Sequence, residues 1–247
     1  MHRIYISEMD ARAAELCREW DAGLEVIAFC AAENMENEQM IASQAARLRD
    51  FGDFSVHAPY YELAPSAIDP MIRGVAMHRF RQCAQLCARL GTRRMIVHSG
   101  YAPMVYYPQW FVPKSIEFWR EFVPGLPEGF ELMVENVLDV RPEYIRDVCD
   151  GVDDPRMRIC LDVGHAQVYS ENTPEEWIRM LGSRISHVHL HNNLGVRDEH
   201  RALEDGCIDM CAVLELLDEY APDAALCIES VDAAASVQTL VRGGYLK

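Results

Sequence analysis

Short apolar runs alternate with amphipathic segments from one end of the chain to the other. Residues 3–7 read as a strand and 10–20 as an amphipathic helix; 24–29 is an apolar run and 38–49 is helical in composition. A strand at 54–57 stops at Ala58-Pro59. Residues 70–90 carry a long helical period, with Met71, Val75, Met77, Phe80, Cys83, Ala84 and Cys87 on one broad face and Gly91 closing it. The pattern continues with a strand at 94–98, a helix at 114–123, a strand at 131–135 and a helix at 142–150 opened by Pro142. A strand at 158–162 precedes a helix reaching Leu181, for which Thr173 is the expected N-cap. Strands at 185–189 and 225–229 then alternate with helices at 210–220 and 233–242.

Eight such strand–helix units without a linker or low-complexity tract call for a parallel sheet. In 247 residues they favour a closed barrel over an open sheet. The expected fold is therefore α/β, a single (β/α)8 TIM barrel forming one domain over residues 1–247. No GxGxxG string follows the first strand, which removes the main reason to expect a dinucleotide fold.

Composition narrows the function. Half the residues are hydrophobic, enough for a large core, and the formal net charge is −16. That balance argues against a generic nucleic-acid binder, whose footprint is basic. The nine cysteines include no CxxC pair and their number is odd. They read as small buried hydrophobes (Cys17, Cys83, Cys87, Cys149, Cys160 and Cys227 among them) in a reducing cytoplasm. The first residues have no apolar signal-peptide core, and no run approaches the length of a membrane span, so no membrane association is expected.

The strand ends carry the chemistry. From the third strand onward the last residues are His57, His98, Glu135, Asp162, His189 and Glu229. In a TIM barrel these positions surround the active site. A single His or Glu there is ordinarily turn chemistry or a satisfied polar group. Six at one level, buried without counter-charge, would each cost several kcal/mol, roughly, so a metal cluster is the more economical reading. The seventh strand is densest: four histidines and Asp198 fall between Ser186 and His200. Period-two alternation puts His187, His189 and His191 on one face, with His187 one layer down as a hydrogen-bonded inner residue. His2 and His78 lie outside the pattern and are expected to face solvent or pack on helices.

The strings His57-Ala58-Pro59-Tyr60, His98-Ser99-Gly100, Glu135-Asn136, Asp162-Val163-Gly164-His165, His189-Leu190-His191-Asn192, Asp198-Glu199-His200 and Glu229-Ser230 occur in that order. Over essentially its whole length the chain resembles the xylose isomerase-like TIM-barrel superfamily, in the branch that includes endonuclease IV and the family 2 apurinic/apyrimidinic endonucleases. The resemblance implies up to three zinc ions: one on His57, His98 and Glu135, one on Glu135, Asp162, His189 and Glu229, and one on His165, Asp198 and His200. The superfamily's sugar isomerases and epimerases need only the second set, around one zinc, manganese, magnesium or cobalt ion.

Two functions follow. The complete nine-ligand set points to endonuclease IV-like phosphoester hydrolysis on an abasic-site or small phosphorylated substrate, with Glu135, Glu229 and His165 as the catalytic groups. The alternative is a sugar or sugar-phosphate isomerase or epimerase in which Glu135 and Glu229 move a proton on and off carbon. A metal-stabilised, non-catalytic scaffold is a third class, which a complete ligand set does not suggest. Three dications against four ligand carboxylates leave the trinuclear centre net positive and attractive to a phosphate. The loop after His57 holds Glu62 and no arginine, and residues 101–111 are aromatic and uncharged. That stretch could stack on a base, wall a sugar ring or pack on its own barrel. Tyr60, Tyr101, Trp110, His191 and Arg197 are the candidate substrate contacts. A small phosphorylated or sugar substrate is favoured over duplex DNA, because Arg197, Arg201 and Lys114 are the few basic candidates for a rim. Oligomeric state is not legible.

Overall fold

The computed structural model describes residues 2–246. Eight strands close into one parallel barrel in sequence order: β1 (Ile4–Ser7), β2 (Gly23–Val26), β3 (Phe54–His57), β4 (Arg94–His98), β5 (Glu131–Glu135), β6 (Met157–Asp162), β7 (Ile185–Leu190) and β8 (Ala225–Ile228). β1 pairs with both β2 and β8, so no strand edge is left open. The helices are α1 (Ala13–Trp20), α2 (Glu38–Leu48), α3 (Pro70–Leu90), α4 (Pro108–Phe122), α5 (Pro142–Val152), α6 (Val163–Tyr169), α7 (Pro174–Leu181), α8 (Met210–Tyr220) and α9 (Ala233–Arg242). Among the described residues no helix is long and apolar enough to cross a membrane.

Alternation along the strands separates two cores. Ile4, Ile6, Leu24, Val26, Val56, Met95, Val97, Leu132, Val134, Leu161, Val188, Leu190, Leu226 and Ile228 join the large apolar layer shared with the helices. The residues between them point into the barrel, where Tyr5, Ala225 and Cys227 form one small cluster and Ile96, Met133 and Cys160 another. Several other inward positions are polar: Glu25, Ser55 and His187 are fully buried. Tyr5 closes the floor, its ring lying where a β-carbon on Gly23 would come within 2.5 Å of it, so glycine is needed there.

The helix ends carry the expected signals. Asp69 accepts the Met71 N–H at 2.7 Å ahead of Pro70, and Gly91 ends α3 at φ +99°. Thr173 and Glu176 cap α7 reciprocally.

Several boundaries differ from expectation. The apolar run 24–29 is strand only to Val26, because Ile27 N–H turns to the Glu8 carboxylate at 3.0 Å and leaves Phe29 buried in the following turn. α4 begins at Pro108 rather than Lys114, so Trp110 and Phe111 lie in its first turns and not in an open loop. The short α6 was not expected from the sequence. On α3, Ala76, Met77, Phe80, Cys83, Leu86 and Cys87 are buried as a face should be, but Met71 and Val75 are exposed. A helix of 21 residues is about 30 Å long, far longer than the five-residue β4, so its first turns rise past the barrel. Six cysteines are buried as expected, whereas Cys207 and Cys211 are exposed and Cys30 is half-buried. His2 packs on a helix, with Nδ1 2.6 Å from the Ala224 carbonyl and Nε2 3.0 Å from Asp218 of α8; His78 is exposed.

Candidate metal centre

Glu135, the last residue of β5, is the hub of the polar cluster at the C-terminal end of the barrel. Its two carboxylate oxygens face different partners. Oε2 lies 3.1 Å from His57 Nε2 and 3.5 Å from His98 Nε2; Oε1 lies 3.3 Å from His165 Nδ1 and 3.4 Å from His189 Nδ1. The register places His98 opposite Glu135, and Asp162 opposite His189. At the other two junctions His57 pairs with Ile96 and Glu135 with Cys160, so the side chains meet across a two-residue stagger.

Around His189 Nδ1 three carboxylates converge: Glu229 at 3.1 Å, Glu135 at 3.4 Å and Asp162 at 3.6 Å. This nitrogen is fully buried and makes no hydrogen bond. A lone pair facing three anions is repelled, whereas a cation placed among them would satisfy all four groups. The donor set, one imidazole and three carboxylates, suits a divalent ion of borderline or hard character. The residues present therefore fit a metal ion.

A further set is assembled by α6 and the loop after β7. Asp162 caps α6 by accepting the His165 N–H at 2.6 Å, which brings His165 over the barrel mouth. Asn192 pairs with Arg201 across the loop, and its side chain ties down Leu203 and Ile208. That frame presents Asp198 and His200, and His200 adopts φ +48°, a left-handed conformation that a non-glycine residue holds only under constraint. Asp198 Oδ2 lies 3.2 Å from His165 Nε2 and 2.9 Å from His200 Nε2.

His57, His165 and His200 share one arrangement. Each directs Nδ1 at a backbone carbonyl: Ala58 at 3.0 Å, Asn136 at 2.9 Å and Glu229 at 2.9 Å. A carbonyl only accepts, so Nδ1 carries the proton and a neutral ring keeps its Nε2 lone pair for a ligand role.

His191 sits beneath this layer. Its Nε2 is 3.1 Å from both oxygens of Asp162, and its ring stacks on His200 at 4.0 Å. It orients Asp162 and does not reach the cavity. Gly164 makes room for it, since a β-carbon there would lie 1.9 Å from His191 Cε1.

Ionisation follows burial and charge. Burial would raise the Glu135 carboxyl, but His189 and His98 beside it hold it well below the usual carboxylate range. Burial pushes His98 down to about 3. For His200 burial opposes charging, but the Asp198 carboxylate outweighs it and lifts the ring to about 9.

All nine expected ligand positions meet in this cluster. Seven of them, all but Asp162 and His189, border a cavity of about 230 Å³ that Met9, Ile27, Cys30, Tyr60 and Val137 complete. Of the expected substrate contacts only Tyr60 lines it, its ring stacked on His98 at 4.4 Å. Tyr101 is buried against Phe111 and Tyr144, and Trp110 donates to the Ser66 carbonyl at 2.9 Å. These two pack the barrel's own loops. Arg197 is exposed on the loop and is not among the lining residues. Sequence reasoning missed Cys30 and, more important, Glu25, a carboxylate between two apolar neighbours of β2 and wholly buried under His189. A lone acid inside a four-residue buried strand was the available signal.

The family profile described as Xylose isomerase-like TIM barrel matches residues 5–242. This chain belongs to that family. Protein MJ1311 of Methanocaldococcus jannaschii is 29% identical over 196 residues, a match spanning 74% of this chain and 66% of that protein. A structure described as a D-tagatose 3-epimerase-like protein superposes with a TM-score of 0.80 at 23% identity, covering 99% of this chain and 97% of that one. The TTHB071 protein from Thermus thermophilus, soaked with ZnCl2, gives 0.76 at 25% identity, covering 97% of both.

Proposed function

We propose that this protein is a divalent-metal-dependent isomerase or epimerase of small uncharged ketoses, with Glu135, Asp162, His189 and Glu229 holding the essential ion. One observation carries the choice. The described cavity lining contains histidines, acids, Tyr60 and apolar side chains but no lysine or arginine. One dication among Glu135, Asp162 and Glu229 would leave the site net negative, so a phosphate monoester or a DNA backbone would need cationic side chains in the wall, whereas a neutral polyol does not. At about 230 Å³ the cavity also falls below the roughly 300 Å³ at which drug-sized pockets begin, a size for a small substrate.

A divalent ion held there would supply Lewis-acid polarisation of the sugar oxygens. Glu135 and Glu229 approach His189 Nδ1 from β5 and from the end of β8, so they flank whatever sits there. One carboxylate takes the proton from the carbon beside the carbonyl, breaking that C–H bond. The other returns a proton to the opposite face in epimerisation, or to the neighbouring carbon in isomerisation, where the hydroxyl proton passes to the former carbonyl oxygen. Met9, Ile27 and Val137 give the cavity an apolar wall that limits water, and Tyr60 offers a ring face to the sugar. The unpaired cysteines suit a reducing, cytoplasmic setting. The epimerase-like and zinc-soaked neighbours support this reading at the level of fold.

The test is deuterium exchange from solvent into a panel of free ketoses after loading with manganese, cobalt or zinc. Exchange into one or more sugars, lost in Glu135→Gln and Glu229→Gln, is expected. No exchange into any sugar would refute it. Phosphoester hydrolysis is the second reading, favoured by the preformed sets His57–His98–Glu135 and His165–Asp198–His200. Cleavage of an abasic oligonucleotide or an aryl phosphodiester by the zinc-loaded protein would put it first.

A further inference from the structure

We infer that Glu25 is a positioning residue for His189, fixing from inside the barrel which ring nitrogen is offered to the central ion. This rests on the proposed central site of Glu135, Asp162, His189 and Glu229. The proton positions follow from the floor upward. Arg94, ion-paired with Glu131, directs Nη2 at His187 Nδ1 at 3.4 Å. A guanidinium can only donate, so His187 Nδ1 is the acceptor and Nε2 carries the proton. That Nε2 lies 3.0 Å from Glu25 Oε2, which also accepts the Ser55 hydroxyl at 3.1 Å.

Glu25 Oε1 is different. It is buried and unpaired except for the contact with His189 Nε2 at 3.0 Å, which lacks the alignment of a full hydrogen bond. A fully buried carboxylate oxygen demands a donor, and His189 Nε2–H is the one within reach. Turning the ring to complete that bond leaves Nδ1 unprotonated and aimed at the gap among Glu229, Glu135 and Asp162. Glu25 thereby selects the tautomer of a ligand it shares with the ion. Ser55, His187 and Arg94 make the carboxylate tolerable in the core, since each donates toward the anion or toward its partner.

Glutamine is the discriminating replacement. It has Glu25's shape but one acceptor oxygen, and because Arg94 fixes His187 Nε2 as a donor and Ser55 donates beside it, that oxygen must stay on their side and the NH2 must face His189, forcing its tautomer to change. The experiment measures zinc affinity by chelator competition, with the imidazole 15N and N–H proton shifts of the zinc-loaded protein, in wild type and Glu25→Gln. In wild type His189 Nδ1 should show a metal-bound shift and Nε2 a downfield, slowly exchanging proton. In Glu25→Gln the central-site affinity should fall about 10–100-fold, the usual cost of losing such a partner, and that proton should move upfield. A folded Glu25→Gln with affinity within about threefold of wild type and an unmoved proton overturns the inference while leaving the central site intact. If instead His189 Nδ1 carries no metal shift in wild type, the central site itself fails. Metal bound at Nε2 together with Glu25, His187 and Cys227 also overturns the inference. Should Glu25→Gln not fold, the wild-type spectrum still decides: a metal-bound Nδ1 beside an Nε2 proton without a hydrogen-bonded shift refutes the role of Glu25.

Discussion

Replacing Asp139 by asparagine should stabilise the metal-free protein at neutral pH. Asp139 is 1% exposed; its Oδ2 accepts the Ser99 hydroxyl at 2.6 Å and the Val137 N–H at 3.1 Å, while Oδ1 is unpaired. Burial lifts its carboxyl from 3.8 to about 6. The folded state therefore binds this proton more tightly than the unfolded chain does. The stability this gives is fully present below pH 3.8 and is lost as pH rises through about 6. A shift of about 2 units corresponds to about 3 kcal/mol at most, at about 1.4 kcal/mol per unit. Asparagine keeps an oxygen for Ser99 and Val137 and cannot ionise. The assay is urea unfolding in EDTA across pH 4–7.5, read as the difference in midpoint at unchanged slope. The Asp139→Asn advantage should grow between about pH 4 and 6 and then level off near 2–3 kcal/mol, roughly. Parallel curves, or a variant less stable than wild type at pH 7, would refute the argument that Asp139 is held by burial against its charge.

Three further outcomes test the site. With the single ion of the proposed function, the double variant Asp198→Asn, His200→Asn should leave zinc stoichiometry unchanged in metal analysis; loss of one zinc per chain would make His165–Asp198–His200 a metal site and favour phosphoester hydrolysis. Gly164→Ala should cost about 1–3 kcal/mol in unfolding experiments, since its methyl group meets His191, whose ring is held by Asp162 and stacked on His200. Wild-type stability would show that the pocket yields. Tyr60→Ala should raise KM for the responsive ketose about tenfold, with metal content unchanged, because it removes the ring stacked on His98. An unchanged KM would move the sugar away from that wall.

The strand ends were legible because a closed parallel barrel turns sequence position into height. Once eight units are recognised, the strand ends can be read as one rim: His98 pairs with Glu135 and Asp162 with His189, while His57 pairs with Ile96 and Glu135 with Cys160, each two residues short of the next strand's end. What was illegible depends on side-chain packing across elements. In sequence the stretch holding Tyr101 and Trp110 could stack on a base, wall a sugar or pack on its own barrel; one is wedged against Phe111 and Tyr144 and the other is tied to Ser66. Hydrophobicity alone does not distinguish a wall that meets substrate from one that meets protein. Met71 and Val75 mislead in the opposite sense: helical periodicity assigns them to a buried face, but α3 outruns the layer beneath it. Glu25 escaped because strands one and two end without a histidine, so the search for ligands began at the third.

The histidines of β7 and its following loop join these points into one argument. His187, His189 and His191 sit at alternate positions and so at successive heights, and shared acids link them: Glu25 joins His187 to His189, and Asp162 joins His189 to His191. Only the middle ring faces the cation position with one nitrogen and the barrel interior with the other. A metal centre built on such a strand cannot be altered at the rim alone. If Glu25 sets the tautomer of His189 as proposed, replacing this inner residue should alter metal binding above it, and the polar interior of the barrel then belongs to the site as much as to the core.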